Sequence, residues 1–135
     1  GEPVDVSRMP SPQSRTADLL YLTDFSRGWY AVTNQRLGVG FGMAWPKQVF
    51  PYVWLWQVCR GSYGYPWYGR TYSLALEPWT SCPGSGLAEV IRCGTELRLE
   101  PAQSVCATIT AVAFTGSARV ANLHEDGMVE WITTK

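Results

Sequence analysis

Histidine is almost missing from this chain: His124 is the only one in 135 residues. A Ser-His-Asp or Cys-His nucleophilic set needs an imidazole, and His124 lies in the polar turn His124-Glu125-Asp126-Gly127, where a solvated ring is the expected state. An excess of either charge is missing as well. Eleven Lys and Arg against eleven Asp and Glu leave a formal net charge of zero. No basic run exists that could neutralise a series of phosphates, which argues against nucleic acid and anionic membrane as partners. No apolar stretch reaches the roughly 18 residues of a spanning helix, and the polar amino end GEPVDVSRMPSPQSR does not read as a signal peptide. A soluble, cytoplasmic protein is the expectation.

The four cysteines, Cys59, Cys82, Cys93 and Cys106, form no C-x-x-C pair. They are expected to pack as small hydrophobes rather than to hold zinc or form a disulfide framework. No Gly-rich phosphate loop is present, because Gly38-Val39-Gly40-Phe41-Gly42 falls inside a strand-like run rather than before a helix. No metal and no cofactor is expected. A sustained helical apolar period is also missing throughout.

What the chain has is aromatic surface in short runs. From Ala17 onwards, segments rich in aromatic and β-branched residues alternate with Gly, Pro and Asn, the pattern of an all-β protein. The runs predict strands over Leu19–Thr23, Trp29–Thr33, Val39–Trp45, Tyr52–Cys59, Thr71–Pro78, Glu96–Leu99, Ser104–Phe114, Arg119–Leu123 and Met128–Thr133. Many short strands separated by turn residues imply an antiparallel β-sandwich or barrel. Leu87–Arg92 is the one plausible helical turn, and Asp126-Gly127 favours a tight hairpin between the last two strands. Residues 1 to 16, with three Pro and three Ser, read as an extended or disordered lead-in to a domain covering residues 17–135.

The stretch Met43 to Ser81 holds five of the seven Trp. Tyr52, Trp54 and Trp56 share one face of a strand and Val53, Leu55 and Gln57 the other, which predicts a central strand buried on both sides with most of its rings in the core. Trp45, Trp67, Tyr68 and Trp79 stand among Gly and Pro and are the candidates to stack on the apolar face of a sugar ring. Arg70 either donates paired hydrogen bonds to a sugar or is a surface arginine. On a strand from Thr71 to Pro78, Glu77 shares a small, polar face with Thr71, Ser73 and Ala75. Pro78 is expected to end pairing there. Glu77 is then either a solvated strand-end carboxylate or the reactive group of a cavity.

The segment PYVWLWQ, followed by YSLALEPWTSCPG and then by ELRLEPAQSV, resembles the carboxyl-terminal half of the aldose 1-epimerase (galactose mutarotase-like) superfamily. Glu77-Pro78-Trp79 carries most of the likeness, and Leu99-Glu100-Pro101-Ala102-Gln103 departs from the family's Leu-x-Pro-Gly-Glu turn. The resemblance implies a supersandwich fold and a monosaccharide substrate. It also implies Glu77 as the general base that takes the anomeric proton, with a histidine as acid on the ring oxygen. No histidine occurs in residues 1 to 50, so the resemblance further implies self-association or pairing with a missing amino-terminal half. A carbohydrate-binding module without catalysis and a structural or assembly domain are the alternatives.

Overall fold

The computed structural model describes residues 3–132. Among them it contains eight strands and one short α-helix, so the all-β expectation is met. The strands are β1 (Ala17–Leu22), β2 (Trp29–Asn34), β3 (Val39–Ala44), β4 (Tyr52–Cys59), β5 (Tyr72–Trp79), β6 (Thr110–Thr115), β7 (Val120–Leu123) and β8 (Val129–Trp131), with the helix α1 (Leu87–Cys93) between β5 and β6. They form antiparallel sheets of a β-sandwich: β1-β4-β5, β2-β3-β6 and the hairpin β7-β8. Gly127 takes φ 91° in the predicted Asp-Gly connection, where its N–H donates to His124 O.

The core runs from Ala44 and Trp45 at the end of β3, through Val53, Leu55, Val58 and Cys59 of β4, to Leu123 of β7. Strand β4 is central in its sheet, with β1 and β5 antiparallel on either side. Alternation sends Val53, Leu55, Gln57 and Cys59 inward, where all four are buried. Gln57, an amide in an apolar layer, is satisfied by Asp18, whose Oδ2 accepts from Nε2 at 3.2 Å.

Three expectations need correction. Pairing of β5 does not stop at Glu77: Pro78 lies opposite Val53 and Trp79 opposite Tyr52. Because β5 borders only β4, an edge strand tolerates a proline whose nitrogen faces away from the ladder. Secondly, Glu96–Leu99 and the first half of Ser104–Phe114 belong to no strand, and β6 begins only at Thr110. Residues 97 to 109 lie exposed with a tight turn in their middle, where Gln103 N–H donates to Glu100 O at 2.9 Å. Their apolar alternation is strand-like, but no neighbouring strand among the described residues offers a ladder. Thirdly, the cysteines do not all pack as hydrophobes. All four are free thiols, with Cys59 buried and Cys93 and Cys106 exposed.

The lead-in is anchored to the first sheet. A single 3-10 turn covers Pro12–Ser14, Tyr72 Oη donates to Pro10 O at 2.9 Å, and Cys59 N–H donates to Thr16 O at 2.8 Å. No helix among the described residues is long and apolar enough to cross a membrane.

Candidate functional site

The register of the first sheet places Glu77 directly opposite Trp54, Trp79 opposite Tyr52, and Ala75 opposite Trp56 on β4, with Tyr21 and Leu19 of β1 on the far side of the tryptophans. This face is only partly covered. Trp79 is 39 % exposed, Trp56 38 % and Tyr21 36 %. The expectation that the β4 rings are mostly core is therefore corrected: the Val53-Leu55-Gln57 face is buried, whereas on the other face Val58 is buried, Tyr52 and Trp54 are half-buried and Trp56 is exposed. The small residues Ser73 and Ala75 on β5 leave the flank of Trp56 open, as the alternation on that strand predicts.

Glu77 sits within this aromatic surface. Trp79 Nε1 donates to Glu77 Oε2 at 3.0 Å, fixing the carboxylate, and no described residue donates a hydrogen bond to its other oxygen. Trp79 stacks on Trp54 with ring centroids 4.3 Å apart and planes 18° apart, the diagonal neighbour contact of an antiparallel pair. Trp54 is held in turn. Its Nε1 donates to Ser81 O at 3.0 Å, and Tyr21 meets its edge at 5.5 Å. Gly84 lies over the same ring and donates its N–H to Tyr21 Oη at 2.9 Å. A Cβ on Gly84 would stand 2.8 Å from Trp54 Cη2, so only glycine lets the loop after β5 approach this closely. Burial, with Cys82 and Asp24 nearby, pushes the Tyr52 phenol above its usual range, so at neutral pH it keeps its proton and can donate.

The other expected site residues divide. Trp67 joins the face: it meets Trp56 edge-on at 5.2 Å, about 7 Å along the strand from the Trp54–Trp79 pair at two residues' rise. Tyr68 and Arg70 lie further out in the β4–β5 loop, both exposed, with Tyr68 edge-on to Tyr65 at 6.1 Å. Trp45 is not a platform. It is 1 % exposed, its Nε1 donates to Phe50 O at 3.0 Å, and Phe25 and Tyr30 pack against its ring. Sequence reasoning missed Trp56 as an exposed ring, although its alternation with Leu55 and Gln57 already separated the two faces.

Comparison of the chain with protein-family models, curated proteins and solved structures returned no match. The geometry therefore has to carry the functional reading. What it offers is one carboxylate with an open oxygen, one indole N–H fixing it, and a stacked indole pair beside it. His124 is engaged elsewhere: its Nε2 lies 3.0 Å from Asn122 Nδ2 and 2.6 Å from Glu130 Oε1, on the β7–β8 hairpin. It borders a cavity of about 310 Å³ shared with Trp45, Gly28 and Lys47, a lining that does not include Glu77. No group of His, Cys, Asp and Glu suited to a metal ion exists among the described residues.

Proposed function

We propose that this chain carries the sugar-binding wall and the general base of an aldose 1-epimerase-like isomerase. The observation that supports this reading is the Glu77 carboxylate, oriented by Trp79 and flanked by the Trp54–Trp79 stack. Indole faces suit the apolar face of a pyranose, and a carboxylate oxygen without a partner suits a sugar hydroxyl. In this reading Glu77 takes the proton of the anomeric hydroxyl as a second group protonates the ring oxygen. The ring opens to the aldehyde, rotates and recloses as the other anomer, and the protons return. Trp67 extends the wall, whereas Arg70 precedes the far end of β5, where Thr71 O accepts from Arg60 N–H, and lies outside it.

One observation favours a second reading, a carbohydrate-binding module without turnover. The chain's only imidazole is held by Asn122 and Glu130 beside a different cavity. Anomer-exchange NMR on common hexoses, run with a binding titration, separates the two. Accelerated exchange that Glu77→Gln abolishes, with the melting temperature unchanged, supports the isomerase; saturable binding without exchange supports the module. Turnover unaffected by Glu77→Gln removes the base assignment. The proposal includes a protein partner, either a second copy or a complementary half. The outer face of the β2-β3-β6 sheet presents Val32, Val39 and Phe41, each 39 to 45 % exposed, with Ala113 opposite Phe41.

A further inference from the structure

At the opposite end of β4 from Glu77, the lead-in and the β4–β5 loop enclose a cleft of about 510 Å³ lined by Pro12, Gln13, Arg15, Arg60, Tyr63 and Tyr68. Two arginines line it, one from the lead-in and one from the loop after β4. The β1–β4 ladder ends at Ala17 and Val58, the bond from Cys59 N–H to Thr16 O closes it, and Arg15 and Arg60 follow just beyond. Two like charges brought to one cleft repel each other. Neither guanidinium is in an ion pair among the described residues, and no acidic side chain lines the cleft.

The backbone holds this arrangement at a cost. Arg15, Arg60 and Tyr68 take φ of 53°, 60° and 47°, and they are three of the five non-glycine residues in the left-handed region among the described residues. Such conformations are strained for residues that carry a Cβ and persist where the surroundings enforce them. Gly61 supplies part of that enforcement. A Cβ there would lie 2.5 Å from Arg15 O, so the loop presses backbone to backbone against the lead-in just beside both arginines.

We infer that this cleft binds a phosphate monoester, the two guanidinium groups taking the dianion and the Tyr63 and Tyr68 rings flanking the group that carries it. Two arginines on one cleft match a dianion with three terminal oxygens better than a single carboxylate. The site is separate from the Glu77 wall, because Trp54 and Cys59 are five residues apart along β4, roughly 17 Å, and Arg60 lies beyond the end of that strand.

The test is isothermal titration calorimetry at low salt with inorganic phosphate, phenyl phosphate and benzoate, together with melting temperatures. Phenyl phosphate is expected to bind saturably and more tightly than either other probe, and to weaken as salt is added. Arg15→Gln or Arg60→Gln should weaken it by about tenfold or more, with Glu77→Gln leaving it unchanged. Without anion, neutralising one of the two arginines should hold or raise the melting temperature. Phosphate should raise it for the native chain and not for the doubly substituted one. Arg60→Lys keeps the charge but not the paired donors, and a several-fold loss is expected there. No binding to the native chain, or equal binding by the Arg15→Gln/Arg60→Gln protein, overturns the inference; benzoate binding as tightly as phenyl phosphate overturns the phosphate assignment. Glucose binding lost on Glu77→Gln and kept on Arg60→Gln reports on the sugar wall alone.

Discussion

Two tryptophans with similar sequence surroundings have opposite fates. Trp45 and Trp79 each stand next to a proline, and each looks like a loop ring available to a ligand. Trp45 is enclosed by Phe25 and Tyr30 and bonded to the Phe50 carbonyl, so Trp45→Ala should cost about 3–5 kcal/mol by urea denaturation. Trp79 touches mainly Trp54 and Glu77. Trp79→Ala should remove only about 0.5–1.5 kcal/mol of ring-pair stability and, in the sugar-binding reading, weaken hexose affinity by about tenfold or more. The place of Glu77 on the small-residue face of β5 was legible from the alternation of that strand. Which rings stand beside it was not. A period of two says which side chains share a face, but the cover over each face comes from segments far away in sequence. That Arg15 and Arg60 line one cleft was hidden for the same reason, since it depends on where the lead-in meets the end of β4.

Strand existence was read well wherever a run had a neighbour to pair with, and poorly where it did not. Tyr52–Cys59 was placed to the residue because its alternation is bounded by Pro51 and Gly61. Glu96–Leu99 has the same kind of pattern but lies beside no edge, and local propensity cannot supply the missing ladder. The segment is held instead by side chains. Thr95 donates its hydroxyl to Cys82 O, and Glu96 pairs with Arg98 at 2.6 Å while its side chain is only 12 % exposed. Its own backbone N–H, with Arg98, holds the Glu96 carboxyl below 4.5, and Arg92 does the same for Glu89. A carboxyl depressed on folding adds stability that is fully present above its ordinary pKa and is lost as pH falls through the lower folded value. Thermal melts from pH 7 down to pH 3 should therefore show a decline beginning near 4.5, and Glu96→Gln should make that decline shallower and lower the melting temperature at pH 7.

At the scale of the whole molecule, apolar surface is unevenly covered. One face of the β2-β3-β6 sheet packs toward β7, where Trp131 meets Phe114 edge-on at 5.4 Å, and the other shows Val32, Val39 and Phe41 to solvent. If this face takes a second copy, sedimentation should show a mass that rises with concentration, and Phe41→Ser should shift the equilibrium to monomer without unfolding the chain; a concentration-independent monomer removes the self-association proposal. The unpaired segment from 97 to 109 bears on durability in a different way. A protease needs several residues of backbone free of ladder bonds, and this stretch presents them continuously. Trypsin is expected to cut first after Arg98, giving pieces 1–98 and 99–135. Because β6 in the smaller piece is bonded to β3 in the larger, the halves should stay together after the cut and part only in denaturant, as a nicked but still assembled protein.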